Sequence, residues 1–201
     1  MLIAYTGYKQ SGKDTAGRVL IREFGYIRMA FADPLKVGVK EMFNFSDRQV
    51  YGDLKDVIDK RYNTTPRKIL QIMGTEVFQF YLPTVIKELK FRKRNHWGLI
   101  FKETYRAYES IAINNNTYPE QPRIVITDLR FPHEAKIIKD LGGYIIRIKR
   151  YGEVLDASHT SEPDIDKIEP DYTIHNNGIS LTDFERVVKD KVNLILRLEE
   201  D

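Results

Sequence analysis

The chain has no cysteine. A disulfide framework and a thiolate metal site are therefore excluded, and any catalytic metal has to take oxygen or imidazole ligands, a set that suits Mg²⁺. Histidine is scarce, at 4 residues, and none of them stand at metal-ligand spacing, so a histidine metal centre is not expected. Long apolar runs are also missing. No stretch approaches the roughly 18 to 20 residues of a membrane span, and the N-terminus lacks the basic flank, apolar core and cleavage site of a secretory leader. The expectation is a cytoplasmic protein without a membrane partner. Charge of one sign is in small excess, with 32 Lys and Arg against 29 Asp and Glu. That balance does not call for nucleic acid, because small phosphorylated ligands account for a mildly basic chain equally well. The densest basic run, Lys90 to Arg94, either meets phosphates or forms a solvated helix end. Repeats and low-complexity tracts are absent. What remains is ordinary globular composition, 42% hydrophobic and 30% charged over 201 residues, enough for one domain with a substantial core.

Leu2 to Thr6 is a short apolar run ahead of a glycine-containing turn and reads as a buried parallel strand feeding a helix. That helix begins near Gly12, carries Ala16, Val19, Leu20 and Phe24 at helical spacing, and meets a stop at Gly25. The pattern recurs at Arg123 to Thr127, a second buried strand, followed by a helix opened by Pro132 and carrying Ala135, Ile138 and Leu141. Tyr144 to Ile148 makes a third strand, and Asp171 to Ile174 a short further one before a closing amphipathic helix with Leu181, Phe184, Val188, Ile195 and Leu198. Between the first two units, roughly 33–113, the sequence reads as mostly helical, with an apolar stripe of Trp97, Ile100, Phe101, Tyr105, Tyr108 and Ile111. Residues 150–170 are polar, carry Pro163 and Pro170, and look like a surface excursion or mobile lid. Strands alternating with helices predict an α/β fold, a parallel sheet with helices on both faces and ligands at the carboxyl ends of the strands.

The chemistry-bearing residues fall at those ends. Gly7-x4-Gly12-Lys13 has the spacing of a phosphate-binding loop and sits between an apolar strand and a helix start. Glycines let the backbone wrap an anion, the helix N-terminus points N–H groups at it, and Lys13 adds a mobile positive charge. Gly7, Ser11, Gly12, Lys13, Asp14 and Thr15 are the candidates for binding a nucleoside triphosphate. Asp14 stands where such loops usually carry a hydroxyl residue that meets Mg²⁺; it either contacts the ion, directly or through water, or only favours the helix start electrostatically. Asp128 closes the second strand, where a carboxylate can hold Mg²⁺ or its water ligands, and Arg130 can neutralise charge on a transferring phosphoryl group. Lys13, Asp128 and Arg130 are thus the catalytic candidates, and Asp14 and Asp128 the metal candidates. Asp33-Pro34-Leu35-Lys36 reads as a strand end entering a helix, and Arg67 and Gln71 share a helical face at four-residue spacing.

GYKQSGKDT, FADPLK, RKILQIMGTE, TDLRFPHEA, SHTSE and IHNNG, in this order, resemble the bacteriophage deoxynucleoside monophosphate kinases within the P-loop nucleoside monophosphate kinase superfamily. The similarity runs nearly end to end. The resemblance implies transfer of the γ-phosphoryl group of ATP to a deoxynucleoside 5′-monophosphate with Mg²⁺. It also implies a single P-loop kinase domain over 1–201, with a helical monophosphate-binding region and a lid. Asp33, Lys36, Arg67, Gln71, Arg130 and Glu162 then fall on the acceptor side, and Asn176 near the adenine of ATP. After GTE the arginine expected nearby is missing at Val77-Phe78-Gln79, and Arg92 or Arg94 would compensate. Arg147, Lys149 and Arg150 would reach phosphates on lid closure unless they simply alternate outward on a strand. A homodimer is compatible with the sequence. Competing readings are a related P-loop small-molecule kinase of the phosphomevalonate kinase or dephospho-coenzyme A kinase type, and a nucleotide-binding module that transfers nothing.

Overall fold

The computed structural model describes residues 1–89, 95–114, 122–150 and 162–200, leaving out the side chains of residues 112–114, 162, 163, 199 and 200. The contacts divide the chain into two compact units, Met1–Ala30 with Tyr105–Asp201, and Phe31–Thr104.

The first unit is built on five parallel strands in the order β2-β3-β1-β4-β5. They are β1 (Leu2–Thr6), β2 (Ile27–Met29), β3 (Ile124–Leu129), β4 (Tyr144–Lys149) and β5 (Tyr172–His175). The central strands read as unbroken apolar runs because both faces of the sheet are covered. On one face Ile3, Tyr5, Val125, Ile146 and Ile148 pack against Ala16, Val19 and Leu20 of α1 (Lys13–Phe24) and Phe184, Val188, Val192 and Ile195 of α9 (Leu181–Glu200). On the other lies α7 (Pro132–Asp140): a Cβ added at Gly143 would sit 2.7 Å from Ile138 Cγ2 and 2.9 Å from Leu2 Cγ. Gly25 closes α1 in a left-handed conformation at φ 68°, the stop expected of it.

Two differences from the sequence reading matter. The strand whose end was read just ahead of Asp33 lies earlier than expected, as β2, and stops at Met29. It is three residues long, with exposed Ile27 and Arg28, so its pairing to β3 rather than any apolar pattern makes it a strand. β3 runs on through Asp128 to Leu129, with a register shift against β1 between Ala4 and Thr6. Such an irregularity bends a strand and re-aims its side chains.

The second unit is helical. It holds α2 (Asp33–Met42), α3 (Asp47–Val50), a 3₁₀ turn (Asp53–Asp56), α4 (Pro66–Gln71), a π-helical stretch (Ile72–Tyr81), α5 (Leu82–Val85) and the start of α6 (His96–Asn114). Ser46 and Gln49 cap α3 reciprocally, and Thr65 caps α4 by accepting from Lys68 N–H. The core is Val39, Phe45, Val50 and Ile69. Gly74 is fixed by packing, since a Cβ there would lie 2.5 Å from Leu35 Cδ2, while its carbonyl accepts from Trp97 Nε1 at 2.9 Å. Of the apolar stripe on α6, Trp97, Phe101 and Tyr105 are buried, but Tyr108 and Ile111 are exposed. Among the described residues no helix is long and apolar enough to cross a membrane.

Candidate nucleotide site

The turn from β1 into α1 has a backbone that calls for glycine at two positions. Gly7 and Gly12 take φ 142° and 116°, which favour glycine. Space also excludes side chains: a Cβ at Gly7 would lie 2.3 Å from Ile148 O, and one at Gly12 would lie 2.9 Å from Asn176 Nδ2. Lys13 opens α1 and folds back over the loop, its ammonium donating to Gly7 O at 2.7 Å and Tyr8 O at 2.6 Å. Ser11 is wholly buried, while Asp14 is exposed in the first helical turn, where a carboxylate is electrostatically favoured. Thr15 Oγ1 accepts from Arg18 at 3.0 Å.

Asn176, expected near an adenine, does something more definite in the structure. Its Nδ2 donates to Ser11 O at 2.8 Å and its backbone N–H to Lys149 O at 2.7 Å. The residue thus ties the end of β5 to both the loop and β4, and it helps exclude a side chain at Gly12.

Asp128 lies at the irregular end of β3 and is half-buried, and Arg130, two residues on, is exposed. A residue missed as a site candidate organises this corner. Glu134 Oε2 accepts from Arg130 N–H at 3.1 Å and Phe131 N–H at 3.2 Å, and its side chain is 7% exposed. Burial pushes its carboxyl up to about 8, helped by the negative charge of Asp128 and opposed by the two N–H donors and by Arg130. The signal was present as a glutamate in the first turn after Pro132, the position from which a side chain reaches back to the helix start. Close packing supports the same strand: Gly17 of α1 has no room for a Cβ, which would lie 2.4 Å from Thr127 Cγ2.

The cations in and just after β4 divide. Arg147 is 9% exposed, donates to Ile165 O and pairs with Asp166 at 3.2 Å; Asp166 also accepts from the Tyr8 hydroxyl. Arg147 is therefore held between β4 and the segment after α8 (Glu162–Ile165), not aimed outward. Arg150 does approach the loop, donating to Gln10 O at 3.3 Å.

In the helical unit, Asp33 is the first residue of α2, and the ammonium of Lys36 lies 5.4 Å from the centre of the Tyr51 ring. Arg67 pairs with Asp56, one bond being 3.1 Å from Nη2 to Oδ2. Gln71 is the exposed last residue of α4. The side chain of Glu162, Arg92, Arg94 and positions 151–161 of the lid-like stretch lie outside the described residues.

A parallel sheet covered on both faces, with a glycine loop, a lysine and a helix N-terminus at the carboxyl end of its central strand, defines a P-loop kinase, a nucleotide-binding phosphotransferase. The dephospho-CoA kinase from Campylobacter jejuni has this fold, with a TM-score of 0.51 and 17% identity over 96% of each chain. Residues 40–188 match the family model of deoxynucleotide monophosphate kinase. A protein of Acanthamoeba polyphaga mimivirus that bears the provisional name of deoxynucleotide monophosphate kinase is 39% identical over 181 residues, which is 88% of this chain and 89% of the relative. The chain belongs to the deoxynucleotide monophosphate kinase family.

Proposed function

We propose that the protein phosphorylates deoxynucleoside 5′-monophosphates, transferring the γ-phosphoryl group of ATP to give the deoxynucleoside diphosphate and ADP. The observation that carries this reading is a glycine loop with Lys13 folded over it in a chain of this family. The Lys13 ammonium exchanges the carbonyls of Gly7 and Tyr8 for the outer phosphates of ATP, and the N–H groups at the start of α1 meet the same anion. Lys36, Arg67 and Gln71 take the acceptor's monophosphate, with Asp33 and Glu162 contributing to acceptor binding. Asp56 orients the guanidinium of Arg67 until the phosphate competes for it. Asn176 supports the loop under the ATP and lies toward its adenine end.

An acceptor phosphate oxygen is already anionic, so it attacks the γ-phosphorus directly; the P–O bond to the β-phosphate breaks, and ADP leaves with that electron pair. No covalent enzyme intermediate is needed, and catalysis is positioning and charge neutralisation. Arg130 neutralises the charge spread over the transferred group. Asp14 and Asp128 offer the hard oxygen donors that Mg²⁺ takes. Mg²⁺ keeps most of its waters and needs only one or two carboxylates beside the phosphates, so two such residues suffice. When bound, the ion would offset charge on the β- and γ-phosphates. The test is to follow label from the γ-phosphate of ATP. Its appearance in a deoxynucleoside diphosphate supports the proposal, and its appearance only in inorganic phosphate, or in another acceptor, contradicts it.

A further inference from the structure

Glu134 is an expensive residue for its place. A helix start can be capped from the solvent side by a short polar residue at low cost, whereas here a carboxyl group is buried and set near the charge of a second carboxylate, Asp128. Phe131, at the N-cap of α7, has no polar side chain to share the work. One oxygen, Oε2, instead holds two successive N–H groups, those of Arg130 and Phe131. The second of these is an ordinary helix cap. The first reaches beyond the helix to the backbone of Arg130, an exposed arginine two residues after Asp128.

We propose that Glu134 is a positioning residue for phosphoryl transfer: its buried Oε2 fixes the backbone of Arg130, so that the guanidinium leaves the end of β3 in one direction, beside Asp128. The proposal rests on the reading that Arg130 neutralises charge on the transferred group. Because the bonds are made by an acceptor oxygen, a glutamine, which keeps that oxygen, preserves the geometry, and an alanine does not. Displacement of a charge-neutralising group by about 1 Å costs up to about 100-fold in rate, and the loss belongs mainly in kcat because the charge that Arg130 neutralises develops on the transferring group.

The experiment is a double-mutant cycle on the full chain with Mg-ATP and a deoxynucleoside monophosphate that the unaltered protein accepts. E134A should lower kcat about 30-fold to 100-fold with both KM values within about threefold, E134Q should stay within about fivefold of the unaltered protein, and E134A should cost R130A no more than about threefold further. Equal losses in both backgrounds, or an E134Q variant as poor as E134A, would overturn the proposal. Should E134A fail to fold, E134D, which withdraws the carboxylate by one methylene, carries the same cycle. Amide hydrogen exchange at Arg130 and Phe131, read without substrate, keeps this inference separate from the functional reading. It should be slow in the unaltered protein and in E134Q and fast in the alanine or aspartate variant; equal rates in all contradict the positioning role, even if no deoxynucleotide is turned over.

Discussion

Lys13 shows how much chemistry rests on single side chains. Its ammonium is held by two loop carbonyls, so the charge is already at the loop before any ligand arrives, and binding a phosphate exchanges acceptors without rebuilding the site. Removing one preorganised charge of this kind costs about 100-fold or more in turnover. K13A should therefore lose activity to that extent and keep its thermal midpoint within a few degrees; full activity would refute the loop's role. Glu134 carries a different prediction, one of pH. Its folded value of about 8 lies above the ordinary carboxyl value of 4.5, so the folded chain holds this proton more tightly than the unfolded one. The stability it contributes is fully present below about pH 4.5 and is lost as pH rises through about 8. E134Q cannot ionise there. Its thermal midpoint should gain on that of the unaltered protein across this range, and melting curves that stay parallel from acid to alkaline pH would contradict the shift.

At the scale of elements, the loop between β1 and α1 depends on elements far away in sequence. Gly7 is confined by the backbone of β4 and Gly12 by Asn176 and Phe184. G7A should destabilise the protein by about 1 to 3 kcal/mol through its φ alone, with the contact to Ile148 adding to that. N176A removes the donor to Ser11 O and opens space beside Gly12. It should raise the KM for ATP severalfold and leave the KM for the acceptor nearly unchanged; equal effects on both would show that Asn176 does not act through the loop. These dependences explain what the sequence could reveal. Motif spacing located Gly7, Gly12 and Lys13 because the βα turn is local, and apolar periodicity located β1, β3, β4, α1 and α9 because their faces are buried. The bounds of β2 were missed, though a strand end was read ahead of Asp33, because a three-residue edge strand with exposed side chains has no pattern of its own. The π-helical turn order after Gln71 was equally unreadable, since IMGTEVFQFY is compatible with an ordinary helix. Arg147 and Asn176 were found as residues, yet their partners Ile165, Asp166 and Ser11 come from contacts that spacing cannot encode. Glu134 was passed over because a glutamate in a first turn is usually just a cap.

At the scale of the molecule, one compact unit carries the glycine loop, Asp128 and Arg130, and the other carries Asp33, Lys36, Arg67 and Gln71. In the proposed reaction the sheet-based unit carries the residues assigned to ATP together with Arg130 and Glu162, and the helical unit carries the other residues assigned to the acceptor. ATP alone should therefore stabilise the protein, by about 2.7 kcal/mol at a hundredfold excess over its Kd, and K13A should abolish most of that gain. The central claim, that the acceptor is a deoxynucleoside monophosphate, is tested most directly by ADP release from Mg-ATP. The purified protein would be offered dGMP, dTMP, dCMP, dAMP, the matching ribonucleotides, dephospho-coenzyme A and phosphomevalonate in parallel. The account predicts acceptor-dependent ADP release with one or more of the deoxynucleotides and a loss of that release in K13A. Release only with dephospho-coenzyme A, phosphomevalonate or the ribonucleotides, or none with any acceptor despite ATP binding, would contradict it.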